Sequence, residues 1–357
     1  MLQLSKTHLI IMPIKANIIE TIGQTDLVRI PSLSELTGSE IYLKCEFQNP
    51  GGSIKDRAAR QMIIDAVDSG QLKPGMTIVE GTAGNTGIGL ALVAQAMGFN
   101  MLVVMPKGQS LEKQRLIELY GAQLKLVDPC PFADDNHFYH TARRLAENNA
   151  DFWWADQFEN TANATAHYNT TGPEIWQQTK GQVSTVVSVS GTGGTIGGVT
   201  QFLKEKNKNI TTWLVDPDGS GLYHYLKTGQ FKSDGDSFTE GIGIMRAVAN
   251  FKQAQVDYAI NLPDRDLVAI SRHLLQYDGI LLGSSGALNV AGALFAAAQG
   301  PKNQHIVTFA CDLGERSYSK LYNPTFLKER HISLPPENIQ SLYQRYKSMA
   351  DLIVKNH

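Results

Sequence analysis

Short apolar runs alternate with stretches of helical period through most of the chain. Thr77–Glu80, Met101–Met105, Leu124–Val127, Thr185–Ser190, Thr212–Val215, Ile280–Leu282 and Ile306–Ala310 are apolar almost throughout and read as strands. Between them Ile88–Phe99, Leu111–Tyr120, Ile196–Lys206, Leu267–Tyr277 and Ala287–Gln299 read as helices, and Trp153–Trp154 as a core strand. Strands without a polar face, separated by helices, predict parallel sheets covered on both sides. After Pro324 no further apolar strand is found, and the tail reads as one or two surface helices.

Bulk properties narrow the class. A length of 357 residues suits two domains, and 42% hydrophobic with 18% charged residues is the balance of a soluble globular enzyme. The net charge of −2 has no basic block behind it, so neither nucleic acid nor an anionic membrane is expected as a partner. Cys45, Cys130 and Cys311 lie far apart without metal-ligand spacing, which predicts reduced thiols in the cytoplasm. The apolar run Leu9–Met12 is too short to span a membrane, and the segment around it has no arginine to suggest a transit peptide. His137 and His140 stand one helical turn apart but have no third ligand nearby, so no metal site is predicted.

Four motifs carry chemistry, each where a helix is expected to begin. In Asn49-Pro-Gly-Gly-Ser-Ile-Lys55-Asp56-Arg57 the glycines permit a sharp turn, and Ser53 is a candidate cap for a following helix. Lys55 then falls in the first helical turn, where the helix dipole disfavours a cation and favours the amine that Schiff-base chemistry needs. In Gly81-Thr82-Ala83-Gly84-Asn85-Thr86-Gly87, outward-pointing amides suit a carboxylate or phosphate, although a dinucleotide loop fits nearly as well. Ser190-Gly191-Thr192-Gly193-Gly194-Thr195 is either a phosphate cup or a tight turn, and lacks the lysine of a Walker loop. In Gly283-Ser284-Ser285-Gly286 a serine is placed to cap a helix, to face a ring nitrogen, or both.

Taken together, these motifs resemble the cysteine synthase and cystathionine β-synthase family of fold-type II pyridoxal-phosphate enzymes, from about Thr21 to Pro324. Thr21–Ile30 resembles the family's opening segment, with Asp26 in place of a usual proline. His167–Trp176 and Glu240-Gly-Ile-Gly243 are similar to further family signatures. The resemblance implies two three-layer α/β domains with mainly parallel sheets and pyridoxal 5′-phosphate in the cleft between them. It implies a large domain of residues 1–50 plus 161–325, a smaller one of 51–160, and a helical tail of 326–357. Lys55 would hold the cofactor as a Schiff base and act as the catalytic base. Asn85 would bond the ring hydroxyl oxygen, Gly191, Thr192, Gly193, Gly194 and Thr195 the phosphate, and Ser284 the pyridine nitrogen. Thr82, Ala83, Gly84, Asn85, Thr86, Gln157 and Gly241 would bind the amino-acid substrate.

The implied activity is that of a transferase: cysteine synthesis by β-replacement on O-acetylserine, or a similar activated serine, with sulfide, in a homodimer. Ala83 stands where a serine is usual and Gln109 where methionine is usual. The segments Glu240–Phe251 and Cys311–Pro324 look like a side branch that includes desulfhydrases. A lyase releasing sulfide, pyruvate and ammonia from cysteine is therefore the alternative. A Rossmann dehydrogenase is disfavoured by the missing GxGxxG order, and a catalytically quiet binding protein by the intact Lys55, Asn85 and Ser284.

Overall fold

The computed structural model describes residues 14–82 and 84–356. The apolar runs form two separate sheets. In chain order the strands are β1 (Leu27–Arg29), β2 (Glu40–Cys45), β3 (Thr77–Gly81), β4 (Asn100–Pro106), β5 (Gln123–Val127), β6 (Phe152–Trp154), β7 (Thr185–Val189), β8 (Thr211–Pro217), β9 (Tyr258–Leu262), β10 (His305–Ala310) and β11 (Val354–Lys355). The larger sheet has seven strands in the order β1-β2-β10-β7-β8-β9-β11, with the two edge strands antiparallel to a parallel interior. The smaller has four, β5-β4-β3-β6, all parallel. This is the α/β architecture that the pattern of apolar runs predicts.

β7 shows why those runs are unbroken: every residue of Thr185–Val189 is buried, because helices cover both faces of the sheet. The helix Ser284–Gln299 lies against the same sheet, buried along nearly its whole length. Gly292 permits that approach, since a Cβ there would lie 2.1 Å from Val215 Cγ2. The smaller sheet has its own core, built from Ile78, Val103 and Met105 and the helices Lys55–Asp68 and Asn85–Met97. Ile19, Ile22 and Ala162, from outside residues 51–160, also enter that core.

Three segments differ from the sequence reading. Ile280–Leu282 is not a strand: it makes only an isolated bridge, Leu282 to Leu313, because Gly279 at φ +68° turns the chain and Gly283 caps the next helix. The tail does not rest on the surface. Leu342 and Tyr346, one turn apart on the helix Ile339–Lys347, are buried in the large core, and β11 pairs with β9. The helix after β3 begins at Asn85, not Ile88, so the preceding loop is shorter than expected. The segment Leu9–Met12 lies outside the described residues.

Candidate active site

A cavity opens at the carboxyl ends of β3, β7 and β10, where ligands bind in sheets of this kind. Lys55, Thr82, Gly84, Asn85, Thr86 and Gln157 line it. So do Gly191, Thr192, Gly193, Thr195 and Gly241. The predicted residues thus converge from segments far apart in the chain. Gly194 and Ser284 do not reach the wall, and Ala83 lies outside the described residues.

Lys55 is the first residue of the helix Lys55–Asp68. Ile54 occupies the cap position, and Ser53 Oγ accepts the Lys55 amide at 3.3 Å. The next two residues anchor this helix. Asp56 accepts the Gly51 amide at 2.6 Å, and its other oxygen is buried without a partner. Burial pushes that carboxyl up to about 7. Arg57 binds Glu46 through Nε at 2.7 Å and Nη2 at 2.8 Å, and Glu174 through Nη1 at 2.7 Å. Lys44 reaches Glu174 at 2.7 Å. Burial alone would raise both carboxyls, but Arg57, with a smaller part from Lys44, overrides it, holding Glu46 below its usual range and Glu174 down to about 2. These ion pairs tie the helix that carries Lys55 to β2 of the large sheet and to the helix Gly172–Gln178.

Another part of the lining is a backbone cradle. Among the described residues the amides of Gly191, Thr192, Gly193 and Thr195 donate to no protein acceptor, while Gly194 N meets Thr192 Oγ1 at 3.4 Å. Ser190 Oγ is also buried without a partner. Three glycines are sterically required here. Gly193 sits at φ +86°, and a Cβ on Gly191 or Gly194 would fall 2.2 Å from Gly241 O or 1.9 Å from Asn163 Oδ1. Two residues absent from the sequence-based list brace the cradle. Asn163 Nδ2 donates to Thr192 Oγ1 at 2.9 Å, and His167 Nε2 lies 3.3 Å from Thr195 Oγ1. Burial drives the His167 imidazole down to about 3, so it stands neutral beside the cradle.

Asn85 and Thr86, in the candidate substrate loop, are paired with side chains from elsewhere in the chain. Thr86 Oγ1 donates to Gln157 Oε1 at 2.5 Å, and Gln157 Nε2 donates to Glu80 Oε1 at 3.0 Å and Gly81 O at 3.1 Å. Asn85 donates to Asp312 at 2.7 Å and accepts from Arg316 Nη1 at 2.9 Å. Arg316 also donates to Gly51 O, joining this loop to the turn before Lys55. Ser284 Oγ accepts the Glu240 amide at 3.3 Å, and it is Ser285 that lines the cavity.

Lys113, Phe138, Phe158, Glu240 and Cys311 also line the cavity and were not identified from the sequence as site residues. Glu240 accepts from Lys113 Nζ and, at 2.6 Å, from Lys320 Nζ. Its burial would raise the carboxyl, and the Lys113 and Lys320 ammonium groups together outweigh that, holding it below its usual range. Lys113 rides on the helix Leu111–Leu119 of the small-sheet unit, so this pair crosses the cleft. His137 caps a helix by accepting Tyr139 N at 3.3 Å, and His140 Nε2 contacts Phe132 O at 2.7 Å.

These residues fit pyridoxal phosphate. Unpaired amides at the start of the helix Gly194–Lys206 suit a phosphate dianion, which the helix dipole further stabilises. A primary amine, Lys55, lines the same cavity.

Comparison with known proteins agrees. The chain is 43% identical over 331 residues to a cysteine synthase of Dictyostelium discoideum, covering 90% of this chain and 88% of that protein. It is 44% identical over 333 residues to cysteine synthase 2 of Schizosaccharomyces pombe, covering 87% and 84% respectively. Among solved structures it is similar to O-acetyl serine sulfhydrylase isoform 3 from Entamoeba histolytica, with a TM-score of 0.81 at 30% identity over 95% of this chain and 99% of that one. The family model described as "Pyridoxal-phosphate dependent enzyme" matches residues 18–312, and the chain belongs to that family.

Proposed function

We propose that this chain is a cysteine synthase, which joins sulfide to the β-carbon of O-acetylserine and releases acetate. One observation carries the reading: Lys55 shares a single cavity with the amide cradle at Gly191–Thr195 and with Thr82, Asn85, Thr86 and Gln157. When bound, pyridoxal 5′-phosphate supplies an electron sink for negative charge developing at the amino acid's α-carbon. The cradle amides would hold the phosphate, and the neutral His167 orients the Thr195 hydroxyl beside the cradle. Lys55 would hold the cofactor covalently, and its free amine would be the base for the α-proton. Thr86 and Gln157 exchange their mutual hydrogen bond for bonds to the substrate carboxylate. Glu240, bridged by Lys113 and Lys320, ties the two sides of the cleft together and limits water entry.

Relatives named as cysteine synthases support the synthase over a desulfhydrase. The division into residues 1–50 plus 161–325 and residues 51–160 is supported by the separate sheets and cores. Three free cysteines support a reducing compartment such as the cytoplasm. Among the described residues no helix is long and apolar enough to cross a membrane. A homodimer rests on the family resemblance, and light scattering reads it directly. The deciding assay compares cysteine formed from O-acetylserine plus sulfide with sulfide released from cysteine, at equal enzyme and saturating amino acid. Faster formation is expected, and faster release would overturn the reading.

A further inference from the structure

A second cavity, of about 250 Å³, adjoins the candidate active site. Phe138, Phe158, Gly243 and Ile244 belong to the walls of both. Its remaining lining is largely aromatic and apolar, with Phe132, Tyr139 and Met245, and it contains one fixed cation, Arg246. The guanidinium carbon lies 4.1 Å from the Phe132 ring centroid, 4.4 Å from that of Tyr139 and 4.9 Å from that of Phe158.

Ring faces attract the charge but accept no strong hydrogen bond, and Arg246 Nη2 is buried with no acceptor. The nearest carboxylate, Glu159, sits 3.9 Å from Nε, beyond hydrogen-bond reach, and is 42% exposed, so it leaves Nη2 without an acceptor. Asp156 is engaged by the Tyr139 hydroxyl at 3.2 Å. Burial pushes His137 down to about 4, so it adds no competing charge. A buried charged donor without an acceptor is costly and uncommon in native structures, and points to a missing partner. Here the complement is an anion that pairs with a guanidinium edge while its body rests on aromatic walls.

We propose that this cavity is a subsite for a small carboxylate with an apolar body, held by Arg246 beside the path by which the second substrate enters. Its link to the second substrate rests on the synthase reading above. The binding itself does not. Because the two cavities share Phe138, Phe158, Gly243 and Ile244, an occupant here would narrow the approach to the first from this side while touching neither Asn85 nor Gln157.

The probe is 3-phenylpropanoate, titrated calorimetrically into the holoenzyme, with its uncharged amide as control. The acid is expected to bind once per chain, and the amide at least ~10-fold more weakly. Arg246→Leu should weaken the acid at least ~10-fold and leave cofactor absorbance unchanged. In turnover the acid should be competitive with sulfide and not with O-acetylserine. Equal affinity for acid and amide overturns the proposal even if Arg246→Leu fails to fold. So does competition with O-acetylserine alone, which would place the probe in the first cavity. Should the enzyme form no cysteine at all, the function above fails, yet the calorimetric comparison still decides the subsite.

Discussion

Arg57→Met removes the cation that neutralises Glu46 but keeps most of the apolar stem. Glu46 is fully buried and would retain only Thr25 Oγ1 at 2.7 Å and Asn49 Nδ2 at 3.0 Å, while Lys44 alone would serve two carboxylates. Such a carboxyl escapes most of the charge penalty by taking up a proton. Relative to an ordinary value of 4.5, keeping it protonated costs about 3 kcal/mol at pH 7 and under about 1 kcal/mol at pH 5. The first figure agrees with the roughly 3–5 kcal/mol lost when one partner of a buried pair is removed. In the parent protein the folded value is depressed, so its contribution is present above 4.5 and declines in acid. In the variant the value is raised, so stability is lost as pH rises. Both effects widen the gap between the two proteins toward neutral pH. Urea unfolding, followed by far-ultraviolet circular dichroism at pH 5 and pH 7 with saturating cofactor, measures it. A gap that is the same at both pH values, or larger in acid, would refute the assignment of Glu46 as a carboxylate held ionised by Arg57.

Lys55→Ala should abolish the visible absorbance of covalently held cofactor and reduce turnover by several orders of magnitude; a coloured, fully active variant would remove Lys55 from its proposed role. Gly193→Asp places a carboxylate against the phosphate, a side chain at φ +86°, and a Cβ 2.4 Å from the Phe251 backbone, so cofactor affinity in a fluorescence titration should fall by well over about 10-fold. Thr195→Val, which removes only a hydroxyl, should cost about 10-fold or less in the same titration. Burial, then the charge of Asp156, pushes Glu80 up to about 8. Its folded value thus exceeds the unfolded 4.5, and stability is lost as pH rises through about 8. Glu80→Gln, which cannot ionise, should therefore gain on the parent protein between pH 6 and pH 9 in thermal melts; parallel melting profiles would contradict the raised value.

The sequence by itself determined the class of fold and singled out many of the residues that line the candidate cavity. Runs such as Thr185–Val189 are apolar because they are covered on both faces, and that signal survives in any window of five residues. Glycines at 191, 193 and 194 are equally legible, because each relieves a backbone or side-chain contact at a strand-to-helix turn. Lys55 was legible through its motif, which also holds Asp56 and Arg57. That these two neighbours serve as anchors was not, since Glu46 and Glu174 arrive from other elements. Local pattern also misjudged where elements end. Asn85–Gly87 is polar and glycine-bearing yet helical, and Ile280–Leu282 is apolar yet makes only a bridge. Tertiary structure alone decided the rest. The Lys113–Glu240 pair joins residues 127 apart, and the ring of Phe132, Tyr139 and Phe158 closes on Arg246 from a distant segment. Periodicity records which face of an element is covered, by repeating at two or at 3.6 residues. It carries no information about which distant side chain does the covering, so ion pairs and cavity walls built across the cleft leave no trace in it.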